Sequence, residues 1–274
     1  MKAGIGSYAF RWSVGQNGDR SEPWQTIIKF LQKSSQMGAD AVQICDNLPL
    51  DQLSEHELRA IKHLSAELNL EVEIGIRGCK LEYLQKHLDI CRLLDVGILR
   101  VVLSEPDWTP TLSESEYLIR NLLPSLRANS IHLAIENHFD LLPEELVELM
   151  RIIRDDQVGI CLDPFNSIYR LVHPNTTIQL LAPYAISVHV KDVSVSRYKT
   201  GFLVEGCRLG TGQLDLDFFL ARLLESGHSP NLFLENWLDR RDNLLETINQ
   251  EEDWVCHGLK LLQERIQMVE RGLQ

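Results

Sequence analysis

The strongest constraint in this sequence is a fourfold recurrence: four short apolar runs in the second half of the chain each end on a residue type that binds metal ions. The runs are Leu133-Ala134-Ile135-Glu136-Asn137-His138, Val158-Gly159-Ile160-Cys161-Leu162-Asp163, Ile186-Ser187-Val188-His189-Val190-Lys191-Asp192 and Leu232-Phe233-Leu234-Glu235. Each reads as a buried strand with period-two alternation. In the second run Val158, Ile160 and Leu162 share one face, and Gly159, Cys161 and Asp163 the other. In the third, Ile186, Val188 and Val190 oppose Ser187, His189 and Lys191. A parallel barrel requires this pattern, because bulky residues pack outward against a ring of helices while the inward residues end in polar groups at the carboxyl mouth. Glu136, Asp163, His189 and Glu235 are therefore expected at one mouth.

Three carboxylates and one imidazole suit a divalent cation. Mn²⁺, Mg²⁺ or Co²⁺ is favoured, and the histidine admits Zn²⁺. Buried together without a cation, three acids would repel one another. The recurrence therefore reads as one metal site rather than four unrelated strand ends.

The rest of the 274 residues repeats strand-then-helix, giving eight such units and an expected α/β fold: a single TIM (β/α)8 barrel domain over residues 1–274. Earlier strands are expected at residues 4–10, 41–46, 72–77 and 98–104. A capping-box signature, Ser54-Glu55-His56-Glu57, opens the second helix. Gly97 is expected to close the third, the fourth is expected over residues 115–128, and the fifth begins near Pro143 with Glu144 and Glu145 in its first turn. A long helix over residues 244–271 is expected last. Two connections stand out: residues 105–110 read as a shaped lid carrying Trp108, and residues 192–215 form the longest loop, of a length usually functional in a compact domain. By alternation Gly6, Tyr8, Gln43, Cys45, Gly75 and Arg77 are inward candidates, and Glu105 with Trp108 is placed at the rim.

Composition narrows the function classes. A net charge of −12 argues against a nucleic-acid surface, which draws on clustered Lys and Arg, but leaves a small anionic substrate open. No apolar run approaches the roughly 20 residues of a membrane helix, and the start lacks a secretory apolar segment, so a cytoplasmic location without membrane attachment is expected. The six cysteines contain no Cys-x-x-Cys pair and are expected as free thiols.

The set Ile135-Glu136-Asn137-His138, Cys161-Leu162-Asp163-Pro164-Phe165-Asn166, His189-Val190-Lys191-Asp192, Arg208-Leu209-Gly210-Thr211-Gly212 and Glu235 resembles the xylose isomerase-like TIM barrels, the sugar phosphate isomerase/epimerase superfamily. The resemblance spans the barrel and is densest from the fifth strand onward. It implies a metal-dependent isomerase or epimerase that acts on a sugar, sugar acid or ketose through an enediolate, and a homo-oligomer such as a dimer or tetramer. It implies that Glu136, Asp163, His189 and Glu235 hold one divalent ion and that Arg208 binds an oxygen of a small sugar or polyol substrate. One position departs: several epimerases and dehydratases of the family carry a histidine three residues after the metal aspartate, where this chain has Asn166.

Within that frame, epimerisation uses two carboxylates on opposite sides of the reacting carbon, for which Glu136 and Glu235 are the candidates. Dehydration needs an acid beside a departing hydroxyl. His138 and Lys191 are placed to serve, which keeps open a dehydratase (lyase) on a polyhydroxylated ring ketone such as inosose or 3-dehydroshikimate. Asn137 and Asn166 are read as orienting hydrogen bonds toward substrate or ligands. An endonuclease acting at abasic DNA would need more histidine ligands and a basic surface, neither of which is evident in the sequence. A catalytically silent barrel that binds a sugar or a partner is disfavoured by the intact ligand set.

Overall fold

The computed structural model describes residues 1–14, 23–139 and 141–272. In chain order the elements are β1 (Ala3–Gly6), α1 (Pro23–Gln36), β2 (Ala41–Ile44), α2 (Glu55–Glu67), β3 (Glu71–Arg77), α3 (Leu81–Leu94), β4 (Ile98–Val102), α4 (Leu112–Asn129), β5 (His132–Glu136) and α5 (Pro143–Ile153). They continue with β6 (Val158–Leu162), α6 (Pro174–Leu181), β7 (Ala185–Val190), β8 (Asp192–Tyr198), β9 (Gly201–Cys207), α7 (Leu216–Glu225), β10 (Asn231–Leu234) and α8 (Leu244–Gly272). Eight parallel strands close in the order β1-β10-β7-β6-β5-β4-β3-β2, which is a TIM (β/α)8 barrel.

The apolar core lies between strands and helices, where the outward residues Val42, Ile74, Val101, Ile135, Ile160 and Val188 are all buried. The inward faces are small or polar instead. Gly75 shows why: a Cβ there would sit 3.0 Å from Cys45 Sγ and 3.3 Å from Arg100 Cδ, so its absence leaves room for an arginine inside the barrel.

Local chemistry sets the helix ends. The Ser54 and Glu57 capping box forms as expected, and a second one, Thr111 with Glu114, starts α4 earlier than residue 115. Helix α3 stops at Asp95 in the left-handed conformation (φ 62°) rather than at Gly97. Strand β1 ends at Gly6, not residue 10, because Ser7–Phe10 tighten into a 3₁₀ turn whose Ser7 hydroxyl accepts from the Cys45 amide at 2.9 Å. The largest difference concerns residues 192–215. Instead of an unstructured loop, β8 and β9 pair as an antiparallel ribbon from Asp192↔Cys207 to Tyr198↔Gly201. Among the described residues no helix is long and apolar enough to cross a membrane, and all six cysteines are free.

Candidate active site

Strands β5, β6, β7 and β10 deliver Glu136, Asp163, His189 and Glu235 to one buried cluster at the carboxyl mouth. His189 Nδ1 is its centre, 3.6 Å from Glu136 Oε1, 3.8 Å from Asp163 Oδ2 and 3.5 Å from Glu235 Oε1. Ligands about 2.0–2.2 Å from a shared ion stand roughly 3–3.6 Å apart at octahedral to tetrahedral angles, so this spacing suits one cation with little adjustment. Cys161 lies against the same imidazole; the ligand atoms of Glu136, Cys161 and His189 all fall within 4.8 Å of one another, as do those of Asp163, His189 and Glu235.

Supporting contacts orient the cluster. His189 Nε2 meets Gln43 Oε1 at 2.8 Å; an amide oxygen only accepts, so Nε2 carries the proton and donates it while Nδ1 turns its lone pair toward the carboxylates. Gln43 Nε2 in turn donates to Glu73 and Ser187, both at 3.3 Å. Asp163 Oδ1 accepts from the amides of Phe165 and Asn166, which leaves Oδ2 aimed inward. Buried His189 Nδ1 and Glu235 Oε1 make no hydrogen bond. Unsatisfied acceptors converging in a dry site are costly unless something binds there, and these residues fit a divalent cation.

Two cations of the chain balance the acids. Arg100 Nε lies 2.5 Å from Glu136 Oε2, and Lys191 Nζ bridges Asp163 Oδ2 at 2.6 Å and Glu235 Oε2 at 2.9 Å. For His189 burial opposes charge on the ring, while Cys161, Glu235 and Glu136 pull its pKa well above the usual histidine value, the same negative surroundings that favour a cation beside its Nδ1 lone pair. For Glu136 burial acts upward, yet Arg100 and His189 prevail and hold the carboxyl well below the ordinary range. Asp163 is likewise lowered, Lys191 and His189 overcoming burial. Lys191 is raised, since Asp163 and Glu235 more than offset its burial.

Above the cluster opens a cavity of about 280 Å³ whose lining includes Tyr8, Arg11, Asp46, Arg77, Arg100, Glu136, His138, Phe139, Asn166, Lys191, Glu235 and Trp237. Lys191 Nζ sits 4.8 Å over the Trp237 ring. Trp237 is held by the ribbon: a Cβ on Gly206 would collide with the Trp237 carbonyl, so only glycine lets β9 run against this loop. Asp192, at the base of the ribbon, accepts from the amides of Val193, Gly210, Gly212 and Leu214 and folds the glycine-rich stretch back on itself.

The residues singled out from sequence separate into two groups. Glu136, Asp163, His189, Glu235, Lys191, His138 and Asn166 come together. Asn166 Nδ2 donates to Glu136 Oε1 at 2.7 Å, so it steadies a ligand as well as lining the cavity. His138 Nε2 lies 3.0 Å from Arg77 Nη2; a guanidinium only donates, so Nε2 accepts and Nδ1 carries the hydrogen. Burial, helped by Arg77, lowers the His138 pKa against the pull of Glu136.

Two others are elsewhere. Asn137 is fully buried, exchanging hydrogen bonds of 2.7 Å with the backbone N–H and C=O of Asp163, and so ties β5 to β6 without reaching substrate space. Arg208 reaches toward Asp253 of α8 at 3.7 Å and is half exposed, because the Asp192 clasp turns its loop away from the mouth. Trp108, in the stretch read as a lid, is also outside this cavity. It bridges back to Glu105 and lines a separate shallow pocket with Cys79, Pro110 and Tyr117. Sequence reasoning missed Arg100. Its signal was an arginine at inward parity within Ile98-Leu99-Arg100-Val101-Val102, which can be buried only against a counter-charge.

Comparison with known proteins agrees with this architecture. Residues 31–265 match the family model described as xylose isomerase-like TIM barrel. The 3-oxo-isoapionate decarboxylase of Pectobacterium atrosepticum is 30% identical over 267 residues, covering 97% of this chain and 96% of the relative. Among solved structures, the D-psicose 3-epimerase of Clostridium cellulolyticum with D-tagatose superimposes with a TM-score of 0.76 at 14% identity, covering 97% of this chain and 99% of that one. A xylose isomerase-like TIM barrel protein from Mycobacterium smegmatis in complex with magnesium gives 0.68 at 18% identity, covering 97% of each chain. The chain belongs to the xylose isomerase-like TIM barrel family.

Proposed function

We propose that this protein decarboxylates a 3-oxo sugar acid with the help of one divalent cation. The observation that carries the reading is the condition of Glu136. Its carboxylate is paired with Arg100 at 2.5 Å and hydrogen-bonded by Asn166 at 2.7 Å. A carboxylate so stabilised is a weak proton acceptor, whereas epimerisation asks two carboxylates to exchange protons on opposite faces of one carbon. Decarboxylation of a 3-oxo acid needs no base for its bond-breaking step, only a sink for electrons and a proton afterwards. The full-length relative that decarboxylates 3-oxo-isoapionate supports the same reading.

Glu136, Asp163, His189 and Glu235 would hold the cation, with Mn²⁺, Mg²⁺ or Co²⁺ suited to a carboxylate-rich set and Zn²⁺ admitted by the imidazole. When bound, the ion supplies Lewis-acid polarisation of oxygens on the substrate. The chain's residues do the rest. Phe139 and Trp237 form an apolar wall that excludes water beside the reacting carbon. The bond from the carboxylate to the carbon next to the ketone breaks, CO₂ leaves, and its electron pair stays behind as the enediolate. Lys191 Nζ, kept protonated by Asp163 and Glu235, gives a proton to that carbon and is recharged from solvent. His138 completes the polar lining.

A second reading, sugar isomerisation or epimerisation, is favoured by Glu136 and Glu235 reaching the same cavity from separate strands. Incubation of the Mn²⁺-loaded protein with 3-oxo-isoapionate separates the two. The expected result is one CO₂ released per substrate and a product lighter by that mass. A product of unchanged mass with solvent deuterium incorporated would favour the isomerase or epimerase, and loss of water a dehydratase.

A further inference from the structure

We infer that Arg77 anchors a carboxylate of the substrate, forming an anion subsite in the cavity above the cation cluster. The inference rests on the reading that this cavity receives a sugar acid. Arg77 is the last residue of β3, half-buried, and its guanidinium lines the cavity. The other strand-borne cations there are neutralised: Arg100 by Glu136 at 2.5 Å and Asp46 at 3.7 Å, Lys191 by Asp163 and Glu235. Arg77 is different. Among the described residues it makes no ion pair, and its Nη2 donates to His138 Nε2 at 3.0 Å.

A guanidinium has five N–H donors in a planar fork. One is used by His138, which fixes the plane of the group from behind. The remaining donors of a half-buried cation without a counter-charge match the two oxygens of a carboxylate, a pairing stronger and more directional than a neutral hydrogen bond. Two features add to this. Arg77 and Arg100 come from neighbouring strands, so two guanidiniums line this cavity although the chain as a whole has net charge −12. Phe139 and Trp237, with ring centroids 6.2 Å apart, line the same cavity and offer surfaces suited to the C–H faces of a polyol. A polyhydroxylated monocarboxylate fits both.

Since the carboxylate is gripped before it departs, Arg77 contributes to binding and not to the bond-breaking step. Its loss should raise KM and leave kcat less affected. The decisive experiment titrates D-gluconate and sorbitol calorimetrically into wild type, R77Q and R77K, all loaded with Mn²⁺. Expected are a gluconate affinity falling by about tenfold or more in R77Q, partial recovery in R77K, and unchanged sorbitol affinity in both. Gluconate affinity unchanged in both variants would overturn the subsite, as would CO₂ release from the keto acid with a KM indifferent to R77Q. Gluconate binding that depends on Arg77, in a protein that releases no CO₂, would sink the decarboxylase reading and leave the subsite standing.

Discussion

The two halves of the barrel mouth carry opposite chemistry. Strands β5, β6, β7 and β10 carry Glu136, Asp163, His189 and Glu235 at or just past their carboxyl ends, a set suited to a cation. Strands β3 and β4 bring Arg77, which has no ion pair among the described residues, and Arg100, whose charge faces Glu136 across the mouth. Each half is held partly by the other. Arg100 crosses to Glu136, and Gln43 of β2 orients His189. A mouth with segregated charge can grip a substrate's oxygens on one side and its carboxylate on the other, so orientation is fixed without a moving part.

Breaking the link between the halves should have the largest effect. R100M leaves Glu136 buried beside no guanidinium, and removal of one partner of a buried pair typically costs about 3–5 kcal/mol. Urea unfolding should show a loss of that size. A change below about 1 kcal/mol would mean that the two halves are independent.

Next is the base of the barrel, where Glu73 accepts from Ser187 and Gln43 beneath His189. Burial drives its pKa up to about 7 against the hydrogen bonds that pull it down. A folded-state pKa above the unfolded one means that the native protein binds the proton more tightly. The stability it contributes is therefore full below about pH 4.5 and is lost as pH rises through about 7. E73Q should flatten the stability profile between those limits by roughly 3 kcal/mol. An unaltered slope would place the titration elsewhere.

Q43L tests the support that the early half lends to the late one. Without the Gln43 oxygen the His189 ring loses its orienting partner, and Mn²⁺ affinity should fall about 10- to 100-fold while the fold persists by circular dichroism. The smallest effect is expected at Arg208, which belongs to neither half. R208Q removes an exposed contact with Asp253 worth about 0–1 kcal/mol, and KM should stay near wild type. A large rise in KM would show that the loop swings inward when substrate binds.

The late half was legible in the sequence because each strand there carries its ligand at or just past its carboxyl end, and strand periodicity alone aligns the four. Asn137, adjacent to Glu136, takes the ligand side of its two expected roles and makes no contact with the cavity. Alternation turns it away from the mouth, and its amide closes on the Asp163 backbone. The early half was harder to read. Arg77 was recognised only as an inward candidate, and Arg100 drew no attention, because the value of a buried arginine depends on partners contributed by other strands. Arg208 misled for a related reason: a glycine-rich stretch permits many paths, and the one taken is set by Asp192 collecting four amides. The ribbon of β8 and β9 was hidden because two strands that pack on no helix lack the apolar alternation of a barrel strand, and Phe202 and Tyr198 stand exposed on it.

The most direct test of the central claim is a Mn²⁺ titration followed by electron paramagnetic resonance on wild type and D163N. The account predicts one bound ion per chain in wild type, with affinity reduced at least about tenfold in the variant. Equal binding by both proteins, or none by either, would contradict it.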